Sequence, residues 1–259
     1  KGDKLMSIPE RELWRRWQQD AFDRVTTRIA DPRPVDIKIA VAPASGKTFF
    51  GLLLGAYLMR ELKLIDTIYV VCPTRAIRDQ WIDAARKMGL TLAGVPDEVS
   101  RQSAERLFSN DKHGLVLTYS AVSHLYEVLR VRTGRERMLV IFDEFHHLAD
   151  DAMWGEHAER AFEMAPYRLF ESGTAFRTDG KRFPFGLNRN GAIEFDYEYY
   201  YGRAVRDEYC RETTFKFFDA DLDWLETDTI EVGERVAVSG MLQAPTPWET
   251  MAYRLVRFS

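Results

Sequence analysis

The segment VDIKIAVAPASGKT, residues 35–48, contains the strongest indication of the fold. Its first half is rich in β-branched and small apolar residues and predicts a buried strand. Helical periodicity begins at Lys47 and continues to Leu62. A strand that passes through a short turn into a helix is the setting of a phosphate-binding loop. The stretch therefore predicts an α/β fold with a phosphate site at the turn.

The rest of the chain, as far as Arg177, alternates between strand-like and helical segments. Strands interleaved with helices are typical of a mainly parallel sheet with helices on both faces, and such sheets bind ligands at the carboxyl ends of their strands. We therefore expect the chemistry to lie in the loops that follow the strands. Further strands are predicted at 67–72, 91–95, 114–119, 138–142 and 167–172, and helices at 10–30, 75–88, 99–108, 121–129 and 153–161.

Composition narrows the class of protein. The 259 residues, 46% of them hydrophobic, suffice for one large α/β domain with an extension. A formal charge of −4 argues against a passive coat on nucleic acid, so any such contact is local. Two cysteines, with no membrane span or leader pattern, favour a cytoplasmic protein without a disulfide framework.

The turn after the first predicted strand carries the residue types that bind a nucleotide. Gly46 allows close approach of the main chain, Lys47 supplies a positive charge to the phosphates, and the Thr48 hydroxyl is a ligand for Mg²⁺. Val41 replaces the usual first glycine. The alternative is a helix amino terminus that carries lysine by chance. The amides predicted to cradle phosphate belong to Ala44, Ser45, Gly46, Lys47 and Thr48.

Acidic residues follow the strand predicted at 138–142. Asp143 is placed to hold Mg²⁺ through water, and Glu144 to orient and deprotonate an attacking water. Against this stands the interpretation that the two carboxylates merely cap the next element. A zinc site is a weaker alternative, because the histidines nearby lack the spacing of helical zinc ligands. Magnesium brought in with ATP is the simpler ion.

The order of these segments resembles the first RecA-like motor lobe of superfamily 2 helicases of the DExH type. The resemblance spans residues 14–177. The segment 14–18 (WRRWQ) resembles the glutamine motif, 42–48 motif I, 73–75 with Gln80-Trp81 motif Ia, 118–120 the next strand-end motif, 143–146 (DEFH) motif II, and 172–177 (SGTAFR) motif III.

The resemblance implies roles for the matching positions. Gln18 would read the adenine edge. Trp14 and Trp17 are left open between core packing and adenine stacking. The residues implied to face a nucleic-acid backbone are Thr74, Arg75, Gln80 and Thr118, and those implied to couple hydrolysis to movement are His146, Ser172, Thr174 and Arg177.

Residue 177 is the predicted boundary between the ATP-binding lobe, residues 1–177, and an extension, residues 178–259. Within the extension, the sequence pattern predicts a helix at 199–210, a strand at 213–218, a turn or hairpin at 219–234 and a helix at 245–258. Its segments 178–185 and 201–204 are loosely similar to bacterial and phage DExH proteins of the restriction and branch-migration type. Its aromatic cluster around 195–201 is interpreted as packing rather than base stacking.

The leading hypothesis is therefore part of an ATP-dependent DNA helicase or translocase, with DNA favoured over RNA by resemblance alone. Such motors bind ATP between two lobes, and the second supplies an arginine finger. We expect this chain to bind nucleotide weakly and hydrolyse it slowly by itself. The competing hypothesis is a non-catalytic docking or switch module that responds to nucleotide. A P-loop kinase or GTPase has no place for motifs Ia and III, and the oligomeric state is not indicated.

Overall fold

A computed structural model describes residues 8–109, 113–149, 152–173, 183–189, 192–212, 221–222 and 236–237. Thr174, Arg177 and the segments predicted at 213–218 and 245–258 lie outside the described residues. The chain divides into two compact units, Lys1–Arg211 and Glu212–Ser259. In the second unit, β10 (Asp221–Leu222) and β11 (Val236–Ala237) pair antiparallel, as the strands of a hairpin do.

Seven of the described strands of the first unit form one sheet, and every pair in it is parallel. The strand order is β3-β4-β2-β5-β6-β1-β9. This confirms the α/β prediction. The bounds are β1 Val35–Val41, β2 Thr67–Cys72, β3 Leu92–Gly94, β4 Gly114–Thr118, β5 Met138–Asp143, β6 Tyr167–Ser172, β7 Asn188–Arg189, β8 Ala192–Ile193 and β9 Tyr197–Tyr199.

Helices cover both faces of the sheet. A π-helical turn, Tyr57–Glu61, continues α2, and short 3₁₀ segments lie at Arg11–Leu13, Thr27–Ala30, Phe145–Ala149 and Pro184–Gly186. The described α-helices are α1 Arg16–Thr26, α2 Lys47–Ala56, α3 Arg75–Lys87, α4 Arg101–Ser109, α5 Tyr119–Thr133, α6 Ala152–Phe162 and α7 Tyr201–Arg206.

The core consists of two apolar layers, one on each side of the sheet. In β2, Ile68 and Val70 belong to the layer under α1, α2 and α3, whereas Tyr69 and Val71 belong to the layer under α4, α5 and α6. All six β2 residues are buried, because a central strand of a doubly covered sheet faces protein on both sides. Phe142 stacks on Phe170 across β5 and β6 at 4.9 Å between ring centroids.

Two helices predicted from periodicity differ in the structure. The helix predicted at 10–30 breaks at Arg15, whose ψ of 145° is extended, and α1 begins at the next residue. The Arg15 amide donates to Gln18 Oε1 at 2.8 Å, which satisfies a group that a continuous helix would bond internally. The helix predicted at 199–210 shrinks to α7, because residues 197–199 pair with β1 as β9.

The start of the extension packs against the lobe. Tyr197 and Tyr199 are buried and stack on Trp17, at 6.3 and 5.6 Å between ring centroids. The packing interpretation is confirmed for these two rings, while Tyr200 and Tyr201 are exposed. The domain boundary at residue 177 stays a prediction. Within the described residues, no helix is both long enough and apolar enough to span a bilayer.

Candidate functional site

The predicted site residues that the structure describes gather along the carboxyl edge of the sheet, except Gln18 on α1 and Gln80 on α3. Because the strands are parallel, the loops that follow them share this edge. We call the loops after β5, β6 and β1 the nucleotide half of the edge. The loops after β3, β4 and β2 are the outer half. The strand order separates the two groups, with three neighbouring strands in each.

The phosphate-binding loop joins β1 to α2. Gly46 has φ +91° and caps α2, and Ala44 has φ +60°. Left-handed backbone is unfavourable for a residue with a Cβ, which accounts for the glycine common at the position of Ala44. The Ser45 amide donates to the Ala42 carbonyl at 3.3 Å, so it takes part in the turn of the loop itself. Thr48 lies half-buried in the first turn of α2.

Lys47 forms an ion pair with Glu144, which brings the two sequence motifs together. Glu144 has φ +50°, another left-handed residue with a side chain. Its second oxygen, Oε2, accepts hydrogen bonds from Ser172 Oγ and from the Gly173 amide, both at 3.1 Å. Burial raises the pKa of Glu144, but the charge and the hydrogen bond of Lys47 and the hydrogen bond from the Gly173 amide outweigh it and leave the pKa below its ordinary value. Glu144 is therefore held as a carboxylate.

His146 connects the acidic motif to the end of β6. Its Nδ1 lies 2.8 Å from Ser172 Oγ and 3.5 Å from Glu144 Oε2. Ser172 thus contacts two residues of motif II, Glu144 and His146. The structure brings Glu144, His146 and Ser172 into one network.

Asp143 lies at the end of β5 beside this network. Its Oδ2 accepts from Trp81 Nε1 at 2.8 Å, and its main-chain oxygen accepts from the Tyr119 hydroxyl at 2.9 Å. Burial raises its pKa and outweighs the Trp81 hydrogen bond and the Lys47 charge, both of which lower it. The hydrogen bond from Trp81 to Asp143 was not predicted, although Trp81 lies inside the motif Ia segment. Its only sequence signal is a tryptophan at a core position of α3.

Glu171 is a buried carboxyl that the motifs in the sequence do not include. It is fully buried on β6, and neither carboxylate oxygen has a hydrogen-bond partner among the described residues. Burial, followed by the Asp143 charge, raises its pKa well above the ordinary value. A Cβ on Gly51 would meet Glu171 Oε1 at 2.9 Å, so the glycine makes room for this group under α2. The available signal in the sequence was a glutamate inside a segment that predicts a buried strand.

The donors present fit magnesium held together with a nucleotide. No cluster of three or more His, Cys, Asp and Glu side chains suited to a metal occurs in the described residues. Mg²⁺ commonly keeps several waters and takes only one or two protein oxygens beside the phosphates. The Thr48 hydroxyl and the Asp143 carboxylate are donors of that kind. They are the residues that would hold the ion.

In the outer half, Thr74 and Thr118 cap helices. Thr74 Oγ1 accepts from the Ile77 amide at 3.3 Å, and Thr118 Oγ1 accepts from the Ala121 amide at 3.1 Å. Side-chain oxygens at a helix N-cap satisfy amides that the helix leaves open. Thr74 is exposed and Thr118 is buried.

Asp97, in the loop after β3, ties two predicted nucleic-acid residues to one carboxylate. The Thr118 hydroxyl donates to Asp97 Oδ1 at 2.6 Å, and Arg75 Nε donates to Oδ2 at 2.5 Å. Burial raises the pKa of Asp97, but the hydrogen bonds from Thr118 and Arg75, together with the charges of Arg75 and Arg78, leave it below its ordinary value. Gln80 is exposed on α3. Asp97 was not predicted, because no motif surrounds it.

Gln18 contacts the phosphate-binding loop. Its Nε2 donates to the Gly46 carbonyl at 3.0 Å, and its Oε1 accepts from the Arg15 amide. The side chain is buried. Contact with adenine remains a prediction, whereas contact with the loop is part of the structure.

A parallel sheet, a loop of the Gly-Lys-Thr type and a strand-end Asp-Glu pair that meets its lysine define a P-loop, RecA-like α/β lobe. The family model of the type III restriction enzyme res subunit matches residues 12–177, and the chain belongs to that family. It is a RecA-like lobe of the superfamily 2 helicase type, as the order of the motifs predicted.

Proteins of two Mycobacterium species are similar to most of this chain. The chain is 32% identical over 221 residues to an uncharacterized protein of Mycobacterium tuberculosis, covering 82% of this chain and 35% of that protein. It is 30% identical over 245 residues to one of Mycobacterium leprae, covering 91% of this chain and 39% of that protein. The chain thus spans well under half the length of these relatives.

Two solved structures share the fold. One is a nuclease-deletion mutant of the type ISP restriction-modification enzyme LlaGI in complex with a DNA substrate mimic, at TM-score 0.56 and 15% identity, covering 76% of this chain and 20% of that one. The other is the Hef helicase domain of Pyrococcus furiosus, at TM-score 0.50 and 17% identity, covering 71% of this chain and 39% of that one.

Proposed function

We propose that this chain is the ATP-binding and ATP-hydrolysing lobe of an ATP-dependent DNA helicase or translocase. The observation that carries the proposal is the contact of Lys47 with Glu144, together with the hydrogen bonds of Glu144 to the end of β6. It joins a phosphate-binding lysine to a carboxylate suited to orienting water. Family membership supports the same function.

The ion pair also indicates how nucleotide would engage the site. Phosphate oxygens would compete with Glu144 for Lys47, because the phosphate and the carboxylate are both anionic and bind the same ammonium group. A Glu144 released from Lys47 keeps its hydrogen bonds from Ser172 and Gly173, which hold it in place to accept a proton from water. Magnesium, when bound, neutralises charge that develops on the phosphates.

The outer half supplies the proposed contact with nucleic acid. Arg75 and Thr74 are exposed at the carboxyl edge, where hydroxyls and guanidinium groups bind phosphate without reading bases. Gln80 is exposed on the same helix as Arg75. Thr118 would take part only after its hydroxyl leaves Asp97. The DNA substrate mimic bound by LlaGI supports DNA as the partner.

Full activity is proposed to need a second RecA-like lobe. Superfamily 2 motors complete their ATP site with an arginine from that lobe, and transition-state charge is poorly stabilised without it. The Mycobacterium relatives extend far beyond the matched region, which leaves room for such a lobe. By itself the chain is expected to bind nucleotide weakly and turn it over slowly.

The test is Glu144→Gln, measured as ATP turnover and ATP affinity in the longer protein that contains the second lobe. We expect turnover to fall by about 100-fold or more, because the amide cannot accept the proton of the attacking water. Affinity is expected to hold or rise, since Lys47 loses its competing anion. Unchanged function of the longer protein in this variant would favour the non-catalytic, nucleotide-responsive docking module instead. Glu136→Gln, a carboxylate distant from the edge, is the control.

A further inference from the structure

Four consecutive carbonyls of the phosphate-binding loop, residues 43–46, accept hydrogen bonds from side chains outside the loop. We call these four side chains the loop collar. Three of them lie within one turn at the start of α1, and the fourth follows α7. The bonds are Cys210 Sγ to the Pro43 oxygen at 3.0 Å, Arg15 Nη1 to Ala44 at 3.2 Å, Trp17 Nε1 to Ser45 at 2.9 Å, and Gln18 Nε2 to Gly46 at 3.0 Å.

The collar sets the direction of the loop amides. In a planar trans peptide, the C=O and the following N–H point in opposite directions. Carbonyls of Ser45 and Gly46 that bond toward α1 therefore turn the N–H groups of Gly46 and Lys47 away from α1. The Gly46 carbonyl also accepts from the Phe50 amide of α2 at 3.3 Å, so the Ser45 carbonyl depends more on its side-chain donor. Amides presented together on one side of a loop are what binds phosphate. The collar thus orients donors that the nucleotide would use.

Trp17 is the most firmly held member of the collar. It is completely buried, and its ring packs on Phe50 of α2 at 5.6 Å and on Tyr199 of β9 at 5.6 Å between centroids. A donor fixed by packing on two other elements holds its acceptor in place. This matters here because Ala44 carries left-handed backbone, which a loop adopts only when its surroundings impose it.

We propose that Trp17 is a positioning residue of the nucleotide site, whose indole N–H holds the phosphate-binding loop in its binding conformation by way of the Ser45 carbonyl. The segment beyond residue 177 also supports the loop, because Cys210 bonds to the Pro43 carbonyl and Tyr199 packs on Trp17. The family match ends at residue 177. The proposal rests on the nucleotide binding proposed above. A loop that is already ordered loses less conformational freedom when it binds its ligand.

The chain offers a matched pair of tryptophans for the test. Trp14 is also buried at the start of α1, but its Nε1 donates to the Pro9 carbonyl at 2.9 Å, away from the loop. Trp17→Phe and Trp14→Phe each remove one indole N–H and part of a buried ring. We expect Trp17→Phe to weaken binding of magnesium ADP and magnesium GDP by the same factor, about 5- to 10-fold. Trp14→Phe is expected to change neither affinity.

The measurements are dissociation constants by calorimetry and unfolding temperatures of all three chains. An equal loss for ADP and GDP marks an effect on the phosphate loop, whereas a loss for ADP alone would assign Trp17 to the base and overturn the proposal. Equal affinities for the two variants would also overturn it. If the unaltered chain bound no nucleotide, the proposed function itself would fail, and that result is distinct from both.

Gln18→Leu provides a second variant in case Trp17→Phe does not fold. It removes the donor to the Gly46 carbonyl and leaves Trp17 in place. The collar predicts weaker binding of magnesium pyrophosphate, which carries no base. Unchanged pyrophosphate affinity would restrict Gln18 to the adenine role implied by the resemblance and contradict the collar.

Discussion

The two halves of the carboxyl edge differ in the origin of the carboxylate that pairs with the basic residue. In the nucleotide half, the predicted residues bond to one another: Lys47 to Glu144, and Glu144 to Ser172. In the outer half, Arg75 and Thr118 both donate hydrogen bonds to Asp97, a residue that belongs to none of the sequence motifs. In both halves a carboxylate pairs with the basic residue that is predicted to meet phosphate. Only in the nucleotide half does that carboxylate belong to a sequence motif, so the partner of Arg75 could be identified only from the structure.

The largest expected effect separates the halves completely. Lys47→Ala removes the charge that would meet the phosphates, and we expect nucleotide affinity to fall by about 100-fold, the scale of one charge-assisted hydrogen bond in a partly buried site. DNA affinity in the absence of nucleotide should stay within about 2-fold. Lys87→Ala, an exposed lysine of α3, is the control. Calorimetry and fluorescence anisotropy would measure the two affinities.

A loss of DNA binding in Lys47→Ala would indicate that the two halves form a single site. It would mean that the loop after β1 contacts nucleic acid, and the division of the edge into two halves would be wrong.

Asp97→Asn tests the outer half with a smaller effect in the opposite direction. Releasing Arg75 from an ion pair in which it is largely exposed is expected to tighten DNA binding by about 2- to 5-fold. The slope of log affinity against log salt should steepen by about 1, as for one added phosphate contact. Nucleotide affinity should not change. Asp83→Asn, which removes an exposed carboxylate paired with Arg86, is the control.

Weaker DNA binding in Asp97→Asn would reverse the interpretation of Asp97. The carboxylate would then order the Arg75 side chain for DNA rather than compete with it.

The smallest effect is expected for Glu171→Gln, which tests through the pH dependence of stability whether Glu171 is protonated in the fold. The pKa of Glu171 is raised in the fold by burial and by Asp143, while an unfolded glutamate has a pKa of about 4.3. Between those values the folded chain holds a proton that the unfolded chain releases, so stability falls as pH rises. The glutamine side chain is neutral at every pH, and the variant's stability relative to the natural chain should increase from about pH 5 to about pH 8.

Urea unfolding at several pH values would measure this trend. The charged groups that act on Glu171 are Asp143, Glu144 and Lys47, and the substitution leaves all three unchanged. A pH-independent difference would mean that Glu171 is ionised in the fold.

Local sequence determined much of this protein. Periodicity placed the central strands within one or two residues, because a central parallel strand is apolar on both faces and contrasts with the helices beside it. The Gly-Lys-Thr and Asp-Glu motifs were recognised because a loop at a strand end needs those residue types in a short span. Strand order then brings them together in the fold, because β1 and β5 both lie next to β6, and Lys47 pairs with Glu144.

Other features needed the tertiary structure because they join residues far apart in the chain. The contacts of Trp17 with Ser45, Cys210 with Pro43 and Thr118 with Asp97 leave no periodic or local signal. The break before α1 depends on a side chain that satisfies an open amide, and β9 forms because β1 offers it an edge. Sequence predicted which groups carry the chemistry. Packing decided which groups hold them in place, since a hydrogen bond depends on where two atoms lie in space, whatever their distance along the chain.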